Sequence, residues 1–322
     1  MLLNALEALL PDATAGDPLG GLKWTRKALR KLAQQLRAKR FAVSHETVRR
    51  WLPLLDYSPR SNPKRLSRKQ DPARDRQMHY LARQRRVFIK AGNPVISVDT
   101  KKKELVGNFK NTGCTWRRAP LDVLATDFAS DASGKAIPYG IYDLVRQQGF
   151  VVVGTSHETA QFAVAAIRRW WLKVGRRVYP HATGLLIQAD GGGANGSRCW
   201  LWKLALQTFA DEFGLTITVT HYPPGASKWN WIEHRLFNAI SGNWAGQPLI
   251  SYETVLKFIR TTRTASGLHC EAELDTRDYP TKLKISPAQK ASINLVPHRV
   301  LPQWNYTIKP RTPSPENRKV IL

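Results

Sequence analysis

Apolar residues near the start of the chain recur at helical spacing. The residues that recur are Trp24, Leu29, Leu32 and Leu36, at intervals of three to five residues, with mostly polar residues between them. This pattern predicts an amphipathic helix over residues 24–39.

A second apolar stripe follows after a short break. Ser44 is suited to cap a helix at its start, and the stripe consists of Val48, Trp51, Leu52 and Leu55. Two helices joined by a tight turn are typical of a helix-turn-helix, although many small helical hairpins share the pattern. We predict an all-α DNA-binding module over residues 20–57, preceded by a tail over 1–19, with Arg49 and Arg50 as DNA contacts.

Residues 58–92 combine prolines with a dense run of basic side chains, which predicts a linker. Its candidate DNA contacts are Lys64, Arg65, Arg68 and Lys69. Such a segment either follows phosphates or is simply a solvated charged stretch.

Beyond residue 93 the pattern alternates between short apolar runs and amphipathic stretches. The predicted strands are 94–99, 136–144, 149–155, 184–190 and 215–222. The predicted helices are 158–174, 197–213 and 230–242. Three strands followed by helix, strand, helix, strand and helix is the order of a ribonuclease H-like fold.

The predicted fold class is therefore α/β, with a mixed five-stranded sheet and flanking helices over residues 93–268. We expect residues 269–308 to form an extension packed on this region. Residues 309–322 carry prolines and mixed charge, which predicts a disordered tail.

The charge balance points to a polyanionic partner. The chain of 322 residues has 50 Lys and Arg against 24 Asp and Glu, a net charge of +26, while 42% of its residues are hydrophobic. Residues 1–90 alone hold 21 basic and 7 acidic residues. Nucleic acid is the polyanion that best offsets such an excess, the alternative being a basic surface that serves solubility.

The cysteines and apolar runs argue against two other classes of protein. Three cysteines, far apart and without a CxxC pair, indicate neither a zinc knuckle nor a disulfide framework. The apolar runs are far too short to span a membrane, and the start lacks a signal peptide pattern. We expect a soluble, reduced, intracellular protein with no membrane partner.

Three carboxylates fall where this topology gathers ligands. Asp99 and Asp190 end predicted strands, and Glu233 lies on the apolar side of a predicted helix. Hard oxygen ligands suit Mg²⁺ or Mn²⁺, and two such ions catalyse phosphodiester chemistry. Each acid by itself is better explained by a pairing with Lys or Arg, but together they predict a metal site.

Other residues around these acids are candidates for DNA contacts. Lys101, Lys102 and Lys228 are placed to contact phosphates, and Trp229 and Trp231 either stack on an unpaired base or belong to the core. The glycine-rich segment 190–196 lacks the GK[ST] of a phosphate-binding loop, so no nucleotide cofactor is expected.

Several long segments resemble bacterial insertion-sequence transposases with the Rhodopirellula-type DDE domain. They are ISVDTKKKELVGNFKN (96–111), GKAIPYGIYD (134–143), ADGGGANG (189–196), HYPPGASKWNWIEHRLF (221–237) and WNYTIKP (304–310). The resemblance covers residues 20 to 311 and implies a metal-dependent DNA transposase whose catalytic, metal-binding triad is Asp99, Asp190 and Glu233.

This resemblance also implies cofactors and partners. It implies two Mg²⁺ ions, for which Mn²⁺ substitutes, and cleavage at element ends followed by transfer of the 3′-hydroxyl into target DNA. The partner is double-stranded DNA, on which the protein assembles as a homo-oligomer, and the expected location is the bacterial cytoplasm at the nucleoid.

The chain departs from the family pattern mainly in its amino-terminal part. Arg40 stands where the turn usually carries Gly, Asp56 replaces a Gly at a helix end, and Trp231 stands where Lys is expected. Pro53 should end the second helix early. Family members are longer at the amino terminus, so a truncated, catalytically inactive DNA-binding protein is an alternative. A structure-specific nuclease of the same fold is a third.

Overall fold

The computed structural model describes residues 2–10, 14–17, 20–25, 27–59, 71–226 and 229–311. The chain divides into two compact units, Met1–Leu66 and Ser67–Leu322. No helix in these described ranges is both long and apolar enough to cross a membrane.

The first unit contains three helices and one β-hairpin. The helices are α1 (Leu2–Glu7), α2 (Leu29–Ala38) and α3 (His45–Trp51), and the antiparallel hairpin pairs β1 (Thr14–Asp17) with β2 (Gly20–Thr25). Leucines of α1 and the residues just after it share one apolar cluster with α2 and α3. A small core of this kind requires all three helices, because two short helices bury too little apolar surface.

Three predictions for this unit were wrong. Residues 1–19 are not a simple tail, because Leu6 is fully buried against α2 and α3. The helix predicted over 24–39 begins at Leu29, and residues 20–25 pair as a strand, so the module is not all-α. Tertiary pairing overrides the helical spacing of Trp24.

The second helix begins and ends where predicted, and for the reasons predicted. The Ser44 hydroxyl accepts a hydrogen bond from the Thr47 N–H at 3.1 Å, which caps α3. The α-helix ends at Trp51, and Pro53 lies in the 3₁₀ turn Leu52–Leu55 that follows. The two helices form a hairpin, and its function as a helix-turn-helix stays a prediction.

The second unit is built on one nine-stranded mixed sheet rather than the five strands predicted. Its strands are β3 (Val95–Thr100), β4 (Glu104–Val106), β5 (Gly134–Asp143), β6 (Gln148–Gly154), β7 (Gly184–Ala189), β8 (Thr216–His221), β9 (Cys270–Asp275), β10 (Leu295–Pro297) and β11 (Asn305–Ile308). The order is β10-β11-β8-β7-β3-β5-β6-β9, with β4 paired to β5.

The five predicted strands form the centre of this sheet. They are ordered β6-β5-β3-β7-β8, and β5 alone runs antiparallel to the other four. This is the strand arrangement expected of a ribonuclease H-like sheet. Of the additional strands, β4, β10 and β11 have only three or four residues, which is a weak sequence signal, whereas β9 was missed although Cys270–Asp275 alternates apolar and polar residues.

Helices cover both faces of the sheet. They are α4 (Arg74–Lys90), α5 (Ala160–Trp170), α6 (Arg176–Val178), α7 (Trp200–Phe213), α8 (Asn238–Asn243), α9 (Tyr252–Thr261) and α10 (Pro287–Ala291). One apolar core lies under α5 and α7, and a second lies under α8, α9 and the turn before them.

Two segments outside the central strands also differ from expectation. Nearly half of the basic linker predicted over 58–92 is the 17-residue helix α4, which buries Gln77 and Leu81 against the sheet, while Arg76, Arg83 and Arg86 are exposed. Residues 269–308 do more than pack on the sheet, because they supply strands at both of its edges. In the predicted tail, Arg311 pairs with Asp211 at 2.6 Å, and residues 312–322 lie outside the described residues.

Prediction for the first unit: Arg40→Gly stabilises the α2–α3 hairpin. Arg40 has φ 65°, a left-handed conformation that strains residues with a Cβ. Removal of that strain should stabilise the unit by roughly 1 kcal/mol. The measurement is hydrogen exchange of peptides from residues 29–51 in the full chain. Arg40→Ala, which removes the same charge but keeps Cβ, is the control, and equal protection in both variants would contradict the prediction.

Candidate active site

Asp99 and Asp190 lie side by side at the carboxyl ends of two parallel strands. β3 and β7 are paired with Val98 beside Ala189, so the next residue of each strand is an aspartate. Asp99 continues the face of β3 that carries Ser97, as strand alternation requires. The backbone register therefore brings together two acids that are far apart in sequence.

Glu233 lies near the two aspartates, in a turn that packs tightly against the sheet. It begins the π-helical turn Glu233–Phe237, whose Leu236 and Phe237 are buried. Gly140 lies opposite Asp99 on β5. A Cβ at Gly140 would lie 2.9 Å from Ile232 Cδ1 and 2.5 Å from Phe237 Cε1, so only glycine lets this turn approach so closely.

A hydrogen-bond network fixes the Asp99 carboxylate. Its Oδ1 accepts from the Thr100 N–H at 2.8 Å, and its Oδ2 accepts from Asn230 Nδ2 at 3.1 Å. The Asn230 carbonyl in turn accepts from the Ser97 hydroxyl at 2.7 Å. Asn230 and Ser97 are fully buried, so the orientation of Asp99 is set before any ligand binds.

The acids strongly disfavour one another's charge. Burial, followed by the charge of Asp190, raises the pKa of Asp99 to about 8, and Glu233 and Glu158 add to the shift. Burial also raises the pKa of Asp190, with contributions from Glu158 and Glu233. Burial raises the pKa of Glu233, against the opposing effect of Lys101. A cation placed among them would relieve this repulsion.

Sequence reasoning missed two residues of this cluster. Glu158 follows β6, which runs parallel to β3, so its position at the same sheet end was a usable signal. Its carboxylate pairs with Lys103 Nζ at 3.0 Å. Tyr139 is fully buried on β5, its hydroxyl has no hydrogen-bond partner, and its pKa is raised by burial and by the nearby charges of Asp99 and Asp190.

The donor set fits divalent metal ions in its chemistry. All candidate ligands are carboxylate oxygens, which are the ligands that Mg²⁺ and Mn²⁺ prefer. The charges of Asp190, Glu233 and Glu158 all raise the pKa of Asp99, so a cation bound among these acids would be stabilised. Across the described ranges, no group of three His, Cys, Asp or Glu side chains is close enough together to enclose an ion.

The predicted lysine contacts have different environments. Lys101 is buried, pairs with Glu104 at 2.9 Å and lies 4.5 Å from the centre of the Trp244 ring, which does not suit a phosphate contact. Lys102 is exposed in a groove of about 770 Å³ that also borders Glu233. Although the two lysines are neighbours in the sequence, Lys101 belongs to the interior and Lys102 to the surface.

Trp229 and Trp231 are not core residues. Their side chains are 38% and 36% exposed, while Asn230 between them is buried. Arg74 lies over the Trp229 ring at 4.1 Å, and Arg85 lies over the Trp231 ring at 5.1 Å. The two rings thus present aromatic surface beside cations, which is the combination that binds unpaired bases.

The other predicted DNA contacts lie on α3 or outside the described residues. Arg49 and Arg50 are exposed on α3 in the first unit, and both contact Glu46, at 2.6 and 3.9 Å. Five of the predicted contacts lie outside the described part of the chain: Lys64, Arg65, Arg68, Lys69 and Lys228. For all of these residues, DNA contact stays a prediction.

Comparisons with known proteins come from a family model and from solved structures. The model of the Rhodopirellula transposase DDE domain matches residues 5–310. The Mos1 transposase paired-end complex with left transposon end has 16% identity and a TM-score of 0.44, and the match covers 80% of this chain and 69% of that one. No curated protein matches.

Two further solved structures are more distant. The Mos1 strand transfer complex has 16% identity and a TM-score of 0.40, over 80% of this chain and 68% of that one. A simian T-cell lymphotropic virus intasome in complex with PP2A regulatory subunit B56 gamma has 11% identity and a TM-score of 0.29, over 89% of both chains.

Prediction for the acids: without divalent metal, the protein loses stability as the pH rises. Asp99 keeps its proton up to about pH 8 when folded but releases it near its ordinary pKa of 3.8 when unfolded. Between these values the folded state binds the extra proton, so the free energy of unfolding falls with pH. Urea unfolding in EDTA across this range measures the slope. Asp99→Asn should flatten it, and an unchanged slope would refute the assignment.

Prediction for the close contact: Gly140→Ala destabilises the protein by about 1–3 kcal/mol, because the new methyl group overpacks Ile232 and Phe237. Gly242→Ala is the matched control. Gly242 lies in α8, and a methyl group added there would have nothing within 4 Å, so alanine should stabilise by roughly 0.5–1 kcal/mol. Thermal melting compares the two variants, and shifts of the same sign would disprove the close-approach role.

Proposed function

The chain belongs to the family of Rhodopirellula transposase DDE domains, and from this we propose that it cuts and joins DNA at the ends of a mobile element. The DNA transposase assignment follows from the family. The observation that best supports the catalytic proposal is the adjacency of Asp99 and Asp190; burial, followed by the charge of Asp190, raises the pKa of Asp99 to about 8.

In this proposal, Asp99, Asp190 and Glu233 hold two Mg²⁺ ions, with Mn²⁺ as a substitute. Bound ions of this kind activate a water or a 3′-hydroxyl and stabilise the leaving oxygen of a phosphodiester. Asn230 keeps Asp99 in the orientation set by its bond to Oδ2. Glu158 adds negative charge at the same sheet end, which strengthens the attraction for cations.

The DNA would be held by side chains around these acids. Lys102 lies in the groove beside Glu233, where an ammonium group neutralises a phosphate. Trp229 and Trp231 offer partly exposed rings for a base near the reacting strand. In the first unit, Arg49 and Arg50 on the capped helix α3 would contact the terminal sequence of the element.

Strand transfer then follows the chemistry of the first cut. The freed 3′-hydroxyl would attack a phosphorus of the target strand, form a new phosphodiester bond and displace the target's own 3′-oxygen, which leaves as a 3′-hydroxyl; one site would therefore perform both steps. Two element ends must be brought together, and we therefore propose that the protein acts as a homo-oligomer on double-stranded DNA.

A second candidate is a DNA-binding protein without catalysis. It is favoured by one observation: in the described part of the chain, no three ligating side chains converge on a point. Such a protein would bind element ends at all metal concentrations and cut them at none. Titration with Mg²⁺ and Mn²⁺ in a nicking assay separates it from the transposase.

Prediction for catalysis: Asp99→Asn abolishes Mg²⁺-dependent cleavage and joining but leaves affinity for DNA nearly unchanged. The amide keeps the shape of the side chain and loses the charge that attracts cations. The assay uses the full chain with a labelled duplex that carries the element end, and binding is measured by anisotropy. Asp122→Asn, at an exposed loop position, is the matched control. Cleavage by Asp99→Asn at the wild-type rate would contradict the assignment of Asp99 to a catalytic triad.

A further inference from the structure

A chain of three hydrogen bonds crosses the interior from α7 to the backbone of Asp190. Trp202 Nε1–H donates to the Tyr306 hydroxyl at 3.0 Å. The hydroxyl lies 3.2 Å from His221 Nε2, and the opposite ring nitrogen, Nδ1, lies 2.8 Å from the Asp190 carbonyl oxygen. These contacts connect α7, strand β11 and the end of β8 to one of the candidate metal ligands.

Only one arrangement of protons satisfies the whole chain. The Asp190 carbonyl only accepts, so His221 Nδ1 carries the proton and donates it. Nε2 then accepts from the Tyr306 hydroxyl, whose oxygen accepts from Trp202. The three side chains are at most 1% exposed, so a polar group left without a partner among them would destabilise the fold.

His221 itself is held in place from two directions. Its backbone carbonyl accepts from Gln77 Nε2 on α4 at 2.8 Å, and its N–H donates to the Trp304 carbonyl at 2.9 Å. Gln77 and Asn305 exchange two amide hydrogen bonds of 2.7 Å. These contacts fix the backbone of His221, while the Asp190 carbonyl and the Tyr306 hydroxyl fix the orientation of its ring.

Asp190 needs such support because the chain beyond it is poorly restricted. It is the first residue after β7, and Gly191, Gly192 and Gly193 follow it. Glycines leave the adjoining peptide groups free to rotate. The Gly192 N–H reaches the Asp190 carboxylate only at a long 3.4 Å. The contact with His221 is therefore the short hydrogen bond that sets the direction of the Asp190 peptide.

We propose that Tyr306 and His221 are positioning residues that orient Asp190 for metal binding through its backbone carbonyl. The inference rests on the proposed function, because it concerns a residue of the same site. It gives the segment that contains Tyr306 a role at the catalytic centre, although this segment lies at the far end of the sequence and adds no ligand to the centre.

The test measures Mn²⁺ binding to the metal-free full chain by electron paramagnetic resonance, with melting temperature as a check on folding. Tyr306→Phe should raise the Kd for Mn²⁺ about tenfold, which is the lower end of the effect of losing an outer-sphere partner. At position 221, asparagine places an amide N–H where Nδ1 stood, whereas glutamine reaches toward Tyr306. We expect His221→Asn to stay near the wild-type Kd and His221→Gln to weaken binding about tenfold.

Tyr179→Phe is the matched control. Tyr179 donates its hydroxyl to the buried Asp143, which ends β5 at the opposite end of the sheet. This variant should lose stability without any change in the Kd for Mn²⁺. If Tyr306→Phe does not fold, the asparagine and glutamine pair at position 221 decides the question.

The outcomes separate the two proposals. Wild-type Mn²⁺ affinity in folded Tyr306→Phe and in His221→Gln overturns the positioning role and leaves the proposed function intact. Equal weakening in His221→Asn and His221→Gln also overturns it, because rescue requires the N–H toward Asp190. A wild-type protein that neither binds Mn²⁺ nor cuts the duplex overturns the proposed function, and the positioning role with it.

Discussion

Repulsion among carboxylates at one end of the central sheet is the constraint on which the rest of this structure depends. Asp99, Asp190, Glu233 and Glu158 come from four separate parts of the chain and influence one another's charge. Burial makes each charge more costly, so this region opposes folding in the absence of cations. A fold that keeps such a cluster must be stabilised elsewhere, and the large apolar cores on both faces of the sheet do so.

The scaffold holds the acids with backbone contacts and short hydrogen bonds more than with ion pairs. Asn230 and Ser97 orient Asp99, the imidazole of His221 contacts the backbone of Asp190, and Gly140 allows the Glu233 turn to approach the sheet. Lys101 and Lys103 lie nearby, but they pair with Glu104 and Glu158. Neither lysine is therefore ion-paired with an acid of the triad, so a cation from outside can bind there.

Features expected of a transposase are found in both units. The second unit carries the acids, the groove beside Glu233 and the two partly exposed tryptophans. The first unit carries a capped helix with exposed arginines and two left-handed non-glycine residues, Arg40 and Asp56. Those strained positions coincide with the departures from the family pattern, so the family glycines are explained by backbone conformation.

The central strands and their order along the chain could be predicted from local sequence patterns, as could the candidate acids Asp99, Asp190 and Glu233, whose catalytic role stays a proposal. Apolar runs bounded by turns are local signals, and acids that end such runs must meet where parallel strands end together. The tertiary structure revealed what local patterns do not: the leucines of α1 in the core, helix α4 within a basic stretch, the edge strand β9 and the inner strand β11. It alone brought Tyr306 behind Asp190, which lies far earlier in the chain. These features depend on partners distant in sequence, and short-range periodicity carries no information about which distant segment a residue will contact.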